Sequence, residues 1–561
     1  MPAARASLLD SPPMRFAPLL LAALCALVLF TGLDGNGFLD WREARDAEVA
    51  REVIGQREGL TPLFGIEPLL EKPLPAYAPE ALVHLFTRPL PLRSRQARAA
   101  LALLLLLVTG SIGARHFGAR AGVIAAGVLA SALALPLAAR TDGTQILAAI
   151  FAWVGCAALA DAQFGRAAGR DLRLVVGYGA LAAALVCAGP LPALWPLGGL
   201  GLYLALARPE AGWTRVRPLA GLVMMLGVAL PWYAAMTERY GAAFLTRAPF
   251  FPYGLESRGP WYAGPVLAVS FLVVGFFPWS ALLPGALAHA ATWWRTGMRL
   301  PLPGAGRPRG DALPGDPLSR ERREEGVAHF FIACLFAALA PIVAYPAPPM
   351  TAVLPALPAA ALLCARFLDH LFEDATRVAR PLTQAVRMLA LIGTVGAVLL
   401  SLVATRVRDI TPELRLLASV VFVTSWLPFL ADFLGRRRLA AGLLALPVAF
   451  GTPVVAMRLL PAMEDYLSAR SVAVAMAAVS PPVAPLLLVD PAPPTLRLYT
   501  ERNLVPPGNL RTGFTRYRAS DGHAYIAFRP VREKAVLHAA PGPLEILLRT
   551  PSLVLARVQP E

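Results

Sequence analysis

Long apolar runs, parted by short polar connections, make up most of this 561-residue chain. Windows of about 19 residues, the length that crosses a bilayer as a helix, give about thirteen spans. They centre near residues 24, 106, 129, 153, 180, 198, 226, 274, 336, 359, 395, 425 and 447. The fifth and sixth are parted only by Gly189-Pro190, a pair that punctuates helices. Two stretches break the pattern. Between residues 34 and 97 the chain is polar, with a short charged segment of helical spacing. Beyond about residue 457 the periods change: Leu486-Leu487-Leu488-Val489 reads as a buried strand, Pro494 to Tyr499 as a helix start, and 524–528 and 535–538 as alternating segments. The pattern predicts an α-helical polytopic membrane domain over 1–456 and a small α/β domain over 457–561.

Composition agrees: 57% of residues are hydrophobic and the mean hydropathy is +0.57. The net charge of +16 would suit nucleic acid, but the arginines cluster in alternate short connections, as the positive-inside rule describes. Arg115 and Arg120, Arg166 to Arg173, Arg208 to Arg217, Arg295 to Arg323, Arg366 to Arg387 and Arg436-Arg437-Arg438 fall on one side. Nucleic acid is therefore not an expected partner, whereas membrane lipids are. The asymmetry predicts a cytoplasmic N-terminus and an extracytoplasmic tail domain. The turn at Arg140-Thr141-Asp142, a loop from Glu238 to Trp261 and the Pro-rich turn at 346–349 share the tail's side. The run from Phe16 to Thr31 lacks a small-x-small cleavage site and reads as an uncleaved anchor. Cys25, Cys156, Cys187, Cys334 and Cys364 lie in or beside apolar spans without metal-ligand spacing, as packing residues do.

The polar stretch holds the chemistry. Glu43, Asp46 and Glu48 crowd two helical turns among Arg42, Arg45 and Arg51, and Glu71-Lys72-Pro73 follows a Gly/Pro-rich segment. A carboxylate there can take a proton from an acceptor while a cation steadies a leaving phosphate. The plain alternative is a solvated amphipathic helix, its charges paired at i,i+3 and i,i+4. The chain has two lysines, Lys72 and Lys534, and otherwise uses arginine, so a compact ammonium stands out at position 72.

Glu43 to Glu52, then Gly59-Leu60-Thr61-Pro62, then Glu71-Lys72-Pro73-Leu74-Pro75-Ala76-Tyr77 resembles the first extracytoplasmic loop of one enzyme family. These are the bacterial C-type glycosyltransferases that include protein O-mannosyltransferases and the lipid A aminoarabinose transferase. The resemblance implies the GT-C fold and a bacterial inner membrane. It also implies transfer of a sugar, with inversion, from a polyprenyl-phosphate donor to a lipid, protein or glycan acceptor on the extracytoplasmic face. No nucleotide sugar or covalent intermediate is involved and no cofactor is expected, a divalent metal being left open. The spans centred at 198, 226 and 274 are expected to line the donor groove. Pro494 to Pro506 resembles the strand-helix unit of the family's tail domain.

The resemblance also places the family's second loop acid at Asp142, where an interfacial Arg140/Asp142 pair is the alternative. Pro260-Trp261-Tyr262 and Phe276-Phe277-Pro278-Trp279 match its aromatic stretch, from which Arg247 and Arg258 could hold phosphate. An aromatic belt with snorkelling arginines is the rival reading. The expected catalytic residues are Glu43, Asp46 and Asp142, with Asp40 ranked after Glu43 and Asp46 in the first loop. The expected substrate-binding residues are Lys72, Arg45, Glu71, Tyr77, Arg247, Arg258 and Tyr262. Four departures stand out. Arg42 occupies the family's catalytic Asp position, Asp46 a usual tyrosine, and Ala188 a usual lysine. Tyr345 and Pro346 lie where another lysine is common. A non-catalytic lipid-binding relative, or a transporter or flippase, is the alternative function.

Overall fold

The computed structural model describes residues 16–40, 42–55, 61–65, 67–87, 90–165, 168–207, 212–247, 262–291, 317–344, 348–373, 375–481, 483–500, 504–505 and 510–559. Among them, ten helices are long and apolar enough to cross a membrane, or twelve if each of two bent pairs counts as one span. The protein is thus a multi-pass membrane protein. The expected count of thirteen is not reached because the first run, Ala17–Phe30, is shorter than a span. Each of the thirteen centres nonetheless falls on a helix.

Burial sorts the helices. In Met350–Phe372 89% of the apolar window is buried, against 22% in Gly212–Leu245, so the former is the axis of the bundle and the latter lines its rim. Small residues let the helices close up: Gly113 and Gly122 face each other across Pro91–Phe117 and Ala119–Ala130, where an added Cβ would meet backbone under 3.0 Å away. The break at Gly189 separates Arg170–Ala188 from Pro190–Ala207, and its φ of 85° is one that glycine adopts without strain.

Two departures from the expected pattern concern loops. Pro218–Arg247 is helical, with a kink at Gly241, so the outer connection expected from Glu238 begins only after Arg247. The first bent pair, Ala119–Ala130 with Ala134–Thr141, turns by 61° and carries Asp142 inward at its end.

In the polar stretch, the helix Arg42–Gly55 is followed by a hairpin of β1 (Leu63–Phe64) and β2 (Glu67–Pro68) and by a turn at Leu74–Tyr77. The tail holds β3 (Leu486–Leu488), β4 (Leu504–Val505), β5 (Ala524–Phe528), β6 (Leu544–Arg549) and β7 (Val554–Val558), in the order β4-β3-β5-β7-β6. The β4-β3-β5 part is parallel and the rest antiparallel. Its two faces bury separate apolar clusters, one around Leu486, Tyr525 and Leu555 and one around Ile526, Phe528 and Val554. That two-sided burial explains the continuous apolar runs of β3 and β5. The segment 535–538, expected as a strand, lies in the helix Glu533–Ala539, with only Val536 buried.

Candidate active site

The helix Arg42–Gly55 is charged throughout, yet it is not solvated. Glu43, Asp46 and Glu48 are all buried with Ala44, Ala47, Val49 and Ala50. Burying three carboxylates requires partners, and each has its own.

Glu43 is held on both oxygens. Arg95 donates from Nε to Oε1 at 2.7 Å and from Nη2 to Oε2 at 2.9 Å, Arg98 Nη1 reaches Oε1 at 3.0 Å, and the Leu39 amide reaches Oε2 at 2.9 Å. Arg95 spends its remaining donors on the carbonyls of Leu33, Asn36 and Gly37. Arg98 also pairs with Glu80, whose carboxyl is pushed above its ordinary range by burial despite Arg98. This network splints the helix to the span Pro91–Phe117 and leaves Glu43 no oxygen for a substrate. Glu43, expected as the first catalytic acid, sits within this network and does not line the cavity beside Lys72. Asp40 precedes the helix, but its side chain accepts from the amide and hydroxyl of Thr495 in the tail.

Asp46, one turn further on, meets a different set of partners. Its Oδ2 lies 2.9 Å from Lys72 Nζ, and its buried Oδ1 has no partner among the described residues. Lys72 also donates to Thr144 Oγ1 at 2.8 Å, and that hydroxyl lies 3.3 Å from Asp46 Oδ2 and 3.2 Å from Asp142 Oδ1. Tyr77, buried beneath Lys72 with its ring centroid 5.9 Å from Nζ, has a hydroxyl without a partner among the described residues. Burial, with Asp46 nearby, pushes its pKa well above the usual value.

Asp142 is wholly buried between two helices and caps the second, accepting from the Gln145 amide. Arg42 Nη1 at 3.1 Å and Thr351 Oγ1 at 3.0 Å reach its Oδ2. Burial alone would raise its pKa, but Lys72 and then Arg42 outweigh that and hold the carboxyl below its ordinary range. Arg45 pairs with Glu71 at 3.0 Å.

Arg42, Arg45, Glu71, Lys72, Thr144 and Gln145 form the polar end of a cavity whose empty space, counted out to its mouth, is about 800 Å³. Its other walls are apolar: Ala188, Leu191, Pro192 and Trp195, then Ala338, Pro341 and Ile342, then Ala352 and Pro355. Trp195 also brings a buried indole N–H with no acceptor among the described residues. The groove expected between the spans at 198, 226 and 274 is thus built from the first of these with those at 336 and 359, since Gly212–Leu245 lies at the rim. Ala188, where a lysine was expected, leaves the wall apolar. Asp46 and Asp142 do not line this cavity. They stand directly behind Lys72, Thr144 and Arg42.

Of the remaining expected residues, Tyr262 is exposed ahead of the helix Ala263–Gly275 and does not line the cavity. Arg247 ends its helix, and Arg258, Pro260, Trp261, Tyr345 and Pro346 lie outside the described residues. Among the described residues no three His, Cys, Asp or Glu side chains converge as a metal site. Sequence reasoning missed Thr144, Arg95, Arg98, Thr351 and Trp195. Arg95 and Arg98, three apart where an apolar span begins, carried a signal: charges on one face of a span need a buried partner.

No family model and no curated protein matches the chain. Among solved structures, the chain is similar to ArnT from Cupriavidus metallidurans in the apo state, at 19% identity and a TM-score of 0.74. The match covers 98% of this chain and 100% of ArnT. The same ArnT bound to undecaprenyl phosphate matches at 19% identity and a TM-score of 0.76, over 97% and 99%. The chain therefore has the fold of that protein, the GT-C architecture, across nearly its whole length.

Proposed function

We propose that the protein is a glycosyltransferase of the bacterial inner membrane, moving a sugar from a polyprenyl-phosphate donor to an acceptor on the extracytoplasmic face. The observation that carries this is the place of Lys72: its ammonium bridges Asp46 and Thr144 at the polar end of a cavity that is otherwise apolar. A lipid with a phosphate head needs that combination, and the ArnT structure with undecaprenyl phosphate shows this fold holding such a lipid.

In the step that follows, Lys72, Arg42 and Arg45 engage the phosphate while the polyprenyl chain lies along the Pro- and Ala-lined walls. The acceptor attacks the anomeric carbon from the side opposite the phosphate. Its proton passes to a carboxylate, the bond from anomeric carbon to phosphate oxygen breaks, and the leaving charge falls on the cations. Asp46 is the base of choice, because its Oδ2 meets Lys72 at the cavity's polar end while its buried Oδ1 has no partner among the described residues. Asp142 is second, since Arg42, Thr351, Thr144 and the Gln145 amide already occupy its two oxygens.

One observation favours a non-catalytic reading. Arg42 stands at the motif's acid position and neutralises Asp142 as well, so a protein that only binds lipid phosphate would look the same there. The test is transfer by the full-length chain in proteoliposomes, from polyprenyl-phosphate pentose or hexose donors. Transfer lost in Asp46→Asn while donor binding persists supports the enzyme. Donor binding without transfer from any donor supports the binder.

A further inference from the structure

Three buried polar atoms behind Lys72 have no partner among the described residues: Asp46 Oδ1, Tyr77 Oη and Arg98 Nε. The other polar atoms of these side chains are engaged. Asp46 Oδ2 meets Lys72 and Thr144, while Arg98 spends Nη1 on Glu43 and the Arg140 carbonyl and Nη2 on Glu80. The three residues are 4%, 2% and 2% exposed, so bulk solvent does not satisfy them. A buried donor or acceptor without a partner is destabilising, and three at one place call for a common one.

The fold supplies the place. Asp46, Tyr77 and Arg98 all line one small pocket, whose other walls include Glu80, Gly143 and Thr144. It has room for about one water. It is separate from the donor cavity, and Thr144 is the residue that lines both. Gly143 adds no side chain to its wall; a Cβ there would stand 2.9 Å from Arg98 Cγ and 3.7 Å from Arg98 Nε.

Donors and acceptors match in number. A water offers two hydrogens and two lone pairs, and buried waters typically make about three hydrogen bonds to groups of this kind. Tyr77 Oη and Arg98 Nε each bring a hydrogen, and Asp46 Oδ1 brings lone pairs. Burial, with Asp46 nearby, pushes the Tyr77 pKa well above its usual value, so the phenol keeps its proton and donates.

We propose that this pocket binds one water, which accepts from Tyr77 Oη and Arg98 Nε and donates to Asp46 Oδ1. Resting on the transferase reading above, Tyr77 is then a positioning residue that acts on the base through the water and does not touch the substrate. The water fixes the plane of the carboxylate and leaves Oδ2 as the oxygen beside Lys72 and Thr144. As the acceptor attacks, its O–H or N–H bond breaks and the proton passes to Oδ2. Oδ1 accepts from the water throughout, as a carboxylate oxygen before transfer and as the carbonyl oxygen of the acid after it.

The test uses the full-length chain in phospholipid nanodiscs and a cryo-EM map that resolves ordered waters. Density for one water is expected within hydrogen-bond distance of Tyr77 Oη, Arg98 Nε and Asp46 Oδ1. An empty pocket would overturn the proposal. Kinetics with a polyprenyl-phosphate sugar donor then compare the parent with Tyr77→Phe, which keeps the ring beneath Lys72 and removes only the hydroxyl. The variant's kcat is expected to fall about tenfold, the effect of losing one hydrogen bond next to a charge, with KM for the donor unchanged. A raised KM at unchanged kcat would put the hydroxyl on the donor and overturn its positioning role, as would unchanged kinetics. A parent chain that transfers no sugar would count against the transferase reading, and the map would still decide the water.

Discussion

Arg42 and Asp142 are one hundred positions apart in the chain and 3.1 Å apart in the structure, Nη1 to Oδ2. The pair ties the first loop to the break between two spans, so the acid that the motif lacks is matched by an acid held behind a cation.

Removing half of such a pair exposes the other half. Arg42→Ala should lower stability by about 1–3 kcal/mol, below the 3–5 kcal/mol of a fully buried pair because Arg42 is partly exposed. Adding Asp142→Asn should restore most of the loss. Melting temperatures of the two single variants and the double variant give the coupling, and strictly additive losses would show that the pair contributes nothing.

Lys72 has two separable roles. Lys72→Ala should weaken undecaprenyl phosphate binding roughly tenfold or more, the value of one charge-assisted contact, and also destabilise the chain by stranding Asp46. In Lys72→Ala/Asp46→Asn the stability should return and the binding should not. Binding that recovers along with stability would remove Lys72 from the phosphate site.

The two acids of the loop helix should part company. Asp46→Asn should slow transfer by about 10²–10⁴-fold, as loss of a general base does, with donor binding retained. Glu43→Gln should instead reduce folded yield, because it strips the charge from Arg95 and Arg98. If the Glu43→Gln protein folds normally and only turnover falls, the roles are exchanged.

Glu52 gives a pH signature. Burial, ahead of the opposing Gly65 amide, raises its pKa from 4.5 to about 7. A carboxyl that binds its proton more tightly when folded stabilises the fold fully below the unfolded value, and that contribution fades as pH rises through the folded one. Relative to Glu52→Gln, the parent should therefore lose stability between about pH 4.5 and 7, read from melting curves. A constant difference across that window would show that Glu52 does not titrate there.

Orientation is testable by reporters. Fusions after residues 60 and 500 should report the extracytoplasmic side and one after residue 310 the cytoplasm. A cytoplasmic tail would remove the basis for placing the chemistry outside.

The spans were legible because bilayer length and apolar runs leave little choice, and Lys72 was legible as one lysine among arginines. The partners of Glu43 were not. Helical spacing puts Glu43 and Asp46 on one broad face, but only packing against Pro91–Phe117 turns the first toward Arg95 and leaves the second beside Lys72. Of the three spans expected to line a groove, only the one centred at 198 lines the cavity, for a related reason. Hydropathy marks which segments cross, and says nothing of which neighbour they pack on. The tail's 535–538 alternates like a strand, yet sits in a helix because β5, β7 and β6 already complete the sheet.

The loop ahead of the helix Arg42–Gly55 is moored to the tail domain. Glu464 Oε1 accepts from the Gly37 amide, Tyr499 Oη from the Phe38 amide, and Asp40 from Thr495, across 427, 461 and 455 residues of sequence. In the order of synthesis, the helix bearing Asp46 is made more than 400 residues before its mooring. While the spans between them are being made, that helix lacks these contacts. The mooring of this loop therefore arrives with the tail, so a chain cut before residue 464 can hold its spans while its first loop lacks all three ties.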